Sequence, residues 1–411
     1  MTRRTYLTYI LVLGSMTALG PFSIDMYLPG FEDIAKSLET STATVALSLS
    51  SYFIGISLGQ LLYGPLLDRY GRKKPLYAGL ALYIIATIVC MQAKDIHTLI
   101  ILRFIQAVGS CAAQVAAMAM VRDLFNPKES AKVFSLLLLV LGASPMIAPT
   151  AGGYIVINFG WRTIFLILLI LGLLITLLTI FFLPESYKAD KSFSLKPRPI
   201  INNFLSVLRE PQFLVFVLVE ALAFAGLFAY VSGSPIVFMD IFHVDKKTYG
   251  WIFAFLSIAF IGLSQFNSLL LKRYSSEQII WVALSAQVGV SILFLIGNIA
   301  GWYGLPATIF FIFLFLTCLG FTNPNAAALS LAPFSKNAGS ASALLGALQM
   351  GVGALAAVGI GAFANGTSTP MIAIMAATSL AALGILIAGK RSGKLTTTIA
   401  TNSAAPVPPA H

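Results

Sequence analysis

The sequence predicts an all-α integral membrane protein with twelve transmembrane helices in two six-helix pseudo-repeats. Composition, the recurrence of apolar runs and the placement of the basic residues carry that prediction. Of 411 residues, 58% are hydrophobic and only 10% are charged, and the mean hydropathy is +0.89. A soluble domain carries about a quarter charged residues. Apolar runs of roughly 20 residues, the length that crosses a bilayer, recur from Tyr6 to Gly389. Backbone polar groups in lipid must pair within their own segment, so such runs are helices.

In chain order the spans are expected at 6–29, 44–67, 75–92, 98–122, 132–157 and 163–183, then at 212–240, 248–271, 277–299, 305–332, 338–365 and 368–389. The first follows Met1-Thr2-Arg3-Arg4 in the manner of a signal peptide. Its length, Asp25 and the lack of a small-residue cleavage site mark it as a retained span. The longest hydrophilic gap, 184–211, is rich in Lys, Ser and Pro and reads as a cytoplasmic linker between the halves 1–183 and 212–390. A repeat supports the division. Gly64-Pro-Leu-Leu-Asp-Arg-Tyr70 recurs weakly as Ser268-Leu-Leu-Leu-Lys-Arg-Tyr274, and the same offset carries Gly142 onto Gly346. Two repeated halves with a substrate site between them at mid-membrane are a common carrier architecture. The tail 391–411, ending Pro-Val-Pro-Pro-Ala-His, reads as disordered.

The net charge of +11 sits in short gaps between spans. No basic face carries interleaved aromatics, which argues against a nucleic-acid partner. Gaps on the side of Met1 hold Arg3, Arg4, the Arg69–Lys74 cluster, Arg122, Lys128, Lys132, the linker bases, Lys272, Arg273, Lys336, Lys390, Arg391 and Lys394. The opposite gaps hold only Lys36, Lys94, Arg162, Lys246 and Lys247. By the positive-inside rule both termini are cytoplasmic and the protein lies in the cell inner membrane as a multi-pass chain. Cys90, Cys111 and Cys318 fall inside apolar runs and read as small buried hydrophobes. No His/Cys/carboxylate set has metal-ligand spacing. The sequence also carries no Ser/His/Asp group or phosphate-binding loop, so neither enzyme nor cofactor is expected. A channel filter is likewise missing.

Ionisable residues inside spans are costly and are the first functional candidates. Three lie well inside: Asp25, Arg103 and Glu220. Asp25 and Arg103 each sit about five residues from the outer end of their spans, at a common depth of roughly 8 Å, and are expected to pair. Desolvation and a nearby guanidinium act in opposite senses on a carboxyl, so movement between the two environments would change proton affinity. Asp25 is the candidate proton carrier and Arg103 its modulator; the alternative is a static salt bridge. Arg103, Gln106, Ser110 and Gln114 share one helix face, which should line an aqueous cavity or the core between helices. Glu220, with Phe224 on its face and Phe228 nearby, is either a second proton site, a binder of a substrate's cationic part, or a snorkelling carboxylate. Asn323, Pro324 and Asn325 are expected to break span 10, with the two asparagines as substrate or interhelical contacts.

Two groups of residues suit moving parts. Pro145, Pro149, Gly152 and Gly153 give span 5 the means to bend and to pack closely. The turn Gly64-Pro-Leu-Leu-Asp68-Arg69-Tyr-Gly71-Arg72-Lys73-Lys74 sets one acid among four bases, a pattern able to latch neighbouring helix ends and hold the cytoplasmic side shut. Gly55 and Gly59 form a small-xxx-small contact, read as packing.

That turn resembles the loop 2–3 signature of the major facilitator superfamily. Leu99-x-x-x-Arg103-x-x-Gln106 resembles the span-4 motif of the same family, with Ala107 where glycine is usual. Pro149-Thr-Ala-Gly152-Gly153 resembles its antiporter motif, with Ala148 in place of a glycine. Ser23-Ile-Asp25-Met-Tyr-Leu-Pro29 is similar to the span-1 signature of the Bcr/CflA drug-resistance branch. The resemblance covers nearly all the spans, with the motifs in the family's order. It implies the twelve-helix fold, drug/proton antiport, and proton-coupling roles for Asp25 and Arg103. The expected partners are a small-molecule substrate, protons and membrane lipid, with the chain acting as a monomer. Export of amphipathic drugs or metabolites is the first reading; proton-coupled uptake of a nutrient or siderophore is the alternative.

Overall fold

The computed structural model describes residues 3–190, 195–334 and 338–391, and contains no strand among them. Twelve of its helices are long and apolar enough to cross a membrane, as the apolar runs predict. The first half comprises α1 (Arg3–Asp25), α2 (Phe31–Ser37), α3 (Thr42–Tyr70), α4 (Lys73–Met91), α5 (Ile96–Leu124), α6 (Pro127–Phe159) and α7 (Arg162–Phe182). A short helix α8 (Pro197–Leu208) follows. The second half comprises α9 (Pro211–Pro235), α10 (Lys246–Ser264), α11 (Asn267–Leu270), α12 (Ser276–Ile299), α13 (Leu305–Leu331), α14 (Ala338–Ala362) and α15 (Thr369–Arg391). The expected disordered tail lies outside the described residues from 392 onward.

Polar residues at the run ends set the helix starts. Ser41, Asp95, Asn126, Asp245 and Ser275 each accept a backbone N–H from the first turn of α3, α5, α6, α10 and α12, satisfying amides that have no partner within the helix. The backbone N–H of Thr98 at Asp95, and the hydroxyl and backbone N–H of Thr248 at Asp245, also hold these carboxyls below the usual carboxylate range. Gly71 closes α3 with φ +83°, a left-handed conformation that favours glycine.

Three elements differ from the sequence reading. Span 1 is not a single helix: α1 stops at Asp25, a 3₁₀ turn covers Leu28–Gly30, and α2 continues to Ser37. Pro29 lies in that turn and has no amide to extend α1. The linker is not wholly irregular, because α8 forms within it. Val207 there packs with Phe213, Val217, Ala341 and Leu344. Span 10 does not break, since α13 runs through Pro324. Asn325 donates its side-chain amide to the Phe321 carbonyl (2.8 Å) and to Asn267 Oδ1 (2.7 Å), so polar groups beside the proline pair internally.

The halves meet along two seams, α3 against α14 and α6 against α10. The start of α1 and the end of α15 lie at the near end of the bundle; the turns after α1, α4, α6, α9, α12 and α14 form the far end. The far end is closed. Lys246 at the start of α10 pairs with Asp33 of α2 at 2.5 Å, and a Cβ on Gly361 of α14 would stand 3.1 Å from the Ala43 carbonyl of α3. At the near end the halves part around a cavity of about 750 Å³.

Candidate functional site

Gln60 of α3, Gln114 and Met118 of α5, Phe204 of α8 and Ala343 of α14 are among the cavity walls. Gln60 also packs on Gly346 of α14, where a Cβ would overlap its side-chain amide. Of the residues singled out from sequence, Gln114, Gly64, Asp68 and Arg72 line the cavity. Asp25, Arg103 and Glu220 do not.

Arg103 is fully buried and Asp25 is 5% exposed, but the expected ion pair does not form. Arg103 donates Nη1–H to Gln106 Oε1 (2.7 Å) and Nη2–H to the Ser23 carbonyl (2.9 Å). Its guanidinium lies 4.5 Å from the ring centre of Tyr27 and 4.2 Å from that of Tyr52. The physical reason is the end of α1. The carbonyls of a last helical turn lack amide partners, and Ser23 presents one to the guanidinium fork while the chain turns away at Asp25. The weakly hydrated, planar guanidinium suits stacking between rings. The aromatic cradle was not foreseen; Tyr27 stood inside the span-1 motif without an assigned role, and Tyr52 carried no signal beyond being aromatic. Arg103 therefore acts on α1 through its backbone, two residues before the carboxylate.

The polar stripe of α5 splits into two parts. Gln106 donates to Thr87 Oγ1 of α4 (2.8 Å), and Ser110 shares a hydrogen bond with the Tyr52 hydroxyl (2.8 Å). These two knit α3, α4 and α5 together, leaving only Gln114 on the cavity. The neighbouring glycine contact is packing, as expected. A Cβ on Gly55 would come within 2.6 Å of Ala107 Cβ, and one on Gly59 within 2.8 Å of Cys111 Cβ. The α3–α5 contact thus takes its space from glycines on α3, which leaves room for Ala107 on α5.

Glu220 is 2% exposed and lies inside the second half. Gln349 of α14 bridges it, donating to Glu220 Oε1 (3.4 Å) and Asn323 Oδ1 (3.2 Å), while Glu220 Oε2 is buried without a partner. Phe224 and Phe228 stand one and two turns away, with ring centres 5.3 Å apart. Phe228 also meets Phe53 of the first half at 4.3 Å. The structure therefore brings Glu220, Asn323, Phe224 and Phe228 into one region and adds Gln349, which a plain apolar run concealed. Asn325 is separate from them, engaged with Asn267.

The turn 64–74 latches within its own half. Arg72 pairs with Asp68 and with Asp123 at the end of α5, each at 2.8 Å, and covers the Tyr187 ring at 4.3 Å. Burial alone works against the charge on Arg72, but the hydrogen bonds to Asp123 and Asp68 outweigh it and raise its pKa. Glu185 accepts the backbone N–H of Arg72 (2.8 Å) and of Lys73 (3.1 Å). A side chain on Gly71 would meet the same carboxylate. Arg69 lies 5.9 Å from the ring centre of Tyr70. The latch thus binds α3, α4, α5 and the start of the linker, and the near end stands open beside it.

Pro145 and Pro149 lie inside an uninterrupted α6. Gly152 and Gly153 are contact points: a Cβ on Gly152 would stand 2.3 Å from the Met26 carbonyl, and one on Gly153 2.6 Å from the Lys246 carbonyl. The first joins α6 to the end of α1 beside Asp25, and the second joins the halves at the far end.

Comparison with known proteins agrees with this architecture. Residues 11–357 match the Major Facilitator Superfamily (MFS). The chain is 33% identical over 386 residues to the uncharacterized MFS-type transporter YdgK of Bacillus subtilis, covering 92% of this chain and 94% of the relative. It is 31% identical to a bicyclomycin resistance protein homologue of Haemophilus influenzae, with 90% and 92% covered. It is 30% identical to the multidrug resistance protein MdtL of Klebsiella pneumoniae, with 85% and 86% covered. Among solved structures, a bacterial homologue of the human lysosomal transporter Spinster, inward-facing and occupied, superposes with a TM-score of 0.74 at 13% identity, covering 95% of this chain and 98% of that one. A D-xylose–proton symporter gives 0.71 at 14%, with 92% and 97% covered; at these identities the likeness bears on fold. With twelve spans, two seams and matches over most of its length, the chain is a multi-pass membrane protein and belongs to the Major Facilitator Superfamily.

Proposed function

We propose that this chain exports small amphipathic molecules in exchange for protons, by alternating access between the halves 1–183 and 212–390. The observation that carries this reading is the cavity of about 750 Å³ between the halves, open at one end of the bundle and shut at the other. That volume suits a drug-sized molecule. The distribution of bases supports cytoplasmic termini, so the open end faces the cytoplasm, where an exporter loads. Relatives named for multidrug and bicyclomycin resistance support antimicrobial cargo. Asp25, buried without an ion-pair partner, carries the proton, and Arg103 holds the end of α1 that bears it. Glu220, Phe224, Phe228 and Asn323 accept cargo above the cavity floor, and Gln114 meets it on entry. The protein works as a monomer in the inner membrane.

A susceptibility panel in an efflux-deficient host expressing the chain identifies a cargo. Everted vesicles then read direction: an exporter accumulates that cargo inside when the lumen is acidified, whereas an uptake symporter does not. Asp25→Asn is expected to abolish the pH-driven component, and full pH-driven accumulation in that variant removes Asp25 from the mechanism.

A further inference from the structure

One side of α8 faces the bundle and the other is uncovered. On the bundle side Asn203 and Phe204 line the cavity. Asn203 also donates its side-chain amide to the Ser340 hydroxyl at the start of α14 (2.7 Å), and Val207 shares a buried cluster with Phe213 and Val217 of α9 and Leu344 of α14. On the uncovered side Ile201 is 52% exposed and Leu205 43%. Residues four apart stand one above the other on a helix, so these two form a stripe. At about 3.6 residues per turn, Arg198 and Arg209 fall roughly 20° and 40° around the axis from Leu205, on the side away from Ile201. Both arginines are exposed, as are Asn202 and Ser206 beyond them. An apolar stripe edged by arginines is the pattern of a helix that lies in a membrane interface. The depth agrees. Only Arg209 and Glu210 separate α8 from α9, which crosses the membrane. Val217 lies about 9 Å along α9 from Pro211, so the last turn of α8 is level with the second turn of a membrane span.

We propose that α8 docks on the near-side leaflet of the bilayer, with Ile201 and Leu205 entering the boundary between headgroups and chains and Arg198 and Arg209 on the phosphates of anionic lipid. Both parts follow from chemistry. Apolar side chains gain by leaving water, and a guanidinium fork matches a phosphate. The docked helix has a second consequence, because its other side frames the cavity. Lipid that holds Ile201 and Leu205 also holds Asn203 and Phe204 in the cavity wall and keeps the Ser340 hydrogen bond closed. The linker is thereby an anchor for the second half, and the charge of the leaflet sets how firmly the cavity entrance is framed. Neither the identity of the cargo nor the proton carrier enters this inference.

Quenching by brominated lipid tests this in the full chain without a transport substrate. A fluorescent amino acid replaces Ile201, Leu205, Asn202 or Ser206, one at a time, and each chain is reconstituted in phosphatidylcholine with brominated acyl chains. Strong quenching is expected at Ile201 and Leu205 and weak quenching at Asn202 and Ser206. Adding phosphatidylglycerol shifts the docking equilibrium about fivefold for each arginine, and Arg198→Gln with Arg209→Gln removes that gain while the order of the four positions stays. Equal quenching at all four positions overturns the proposal, as does an equilibrium indifferent to phosphatidylglycerol. Unquenched Ile201 and Leu205 in a particle with the mass of two copies overturns it too, and assigns the stripe to a second copy of the chain.

Discussion

Asp25 and Arg103 share a depth and opposite charges, yet the structure gives Arg103 other partners, and a double-mutant cycle separates the two arrangements. The perturbations are Asp25→Asn, Arg103→Met and their combination. Breaking a buried ion pair costs about 3–5 kcal/mol for either partner, and most of that returns as coupling in the double mutant. In the structure, Arg103→Met forfeits two hydrogen bonds from a charged donor, at about 1.5–3 kcal/mol each. It also loses two ring contacts, at about 0.5–2 kcal/mol each. Against that loss stands relief from burying a guanidinium with no carboxylate beside it, worth several kcal/mol. The single mutant should therefore sit within about 2 kcal/mol of the parent. Because Asp25 takes no share in the lost contacts, the coupling should stay below about 1 kcal/mol. Unfolding in mixed micelles, followed by helical signal against SDS fraction, measures all four corners. A coupling of about 3 kcal/mol or more would mean that the two side chains pair directly and would refute the backbone route through Ser23.

Two further expectations follow from close helix contacts. Gly152→Ala should cost about 1–3 kcal/mol, because the new methyl meets the Met26 backbone. Gly346→Ala should cost less than about 1 kcal/mol, because it meets only the mobile end of Gln60; thermal unfolding ranks the pair, and a reversed order contradicts the packing described. Lys246→Met removes the Asp33 pair at the far end. Its partly exposed setting limits the loss to about 0.5–1 kcal/mol, a shift of about two- to fivefold toward far-end opening, readable as a longer spin-label distance between α2 and α10. An unchanged distance distribution would show that this pair does not hold the far end.

The fold was legible because membrane helices advertise themselves: a bilayer demands long apolar runs, and the bases between them record topology. What the runs cannot encode is azimuth, the direction each residue faces around its helix. The shared face of Gln106, Ser110 and Gln114 suited either a cavity or the core between helices, and it divides: Gln106 and Ser110 join α5 to α4 and α3, while Gln114, one turn further along, reaches the cavity. Asp25 and Arg103 matched in depth, but depth does not specify partner, and the break in α1 at Asp25 supplied a carbonyl that competes for the guanidinium. Gln349 was hidden for the complementary reason, being an ordinary residue whose meaning comes from what lies opposite. Helix α8 could have been found. Ile200, Ile201, Phe204, Leu205 and Leu208 recur at helical spacing in a segment otherwise read by its Lys, Ser and Pro content.

The distribution of these groups constrains how coupling can work. Asp25 sits at the shut end of the interface, while the cavity opens at the other end, lined by residues that do not include Asp25. On the proposed reading of Asp25 as proton carrier, a proton and a cargo molecule need not compete for one carboxylate; they can act on the same two-state element from opposite ends. That element must be rigid enough to carry the effect. Arg103 ties α5 to the end of α1, Gln106 and Ser110 tie α5 to α4 and α3, and Arg72 ties α3 to the foot of α5 and the linker. The first half is thus cross-linked at both ends by buried guanidinium groups, which suits it to move as one body. Energetically this needs little: a differential of about 1.4 kcal/mol between the ionised and protonated states shifts a two-state equilibrium tenfold, within the range of one charge-assisted hydrogen bond.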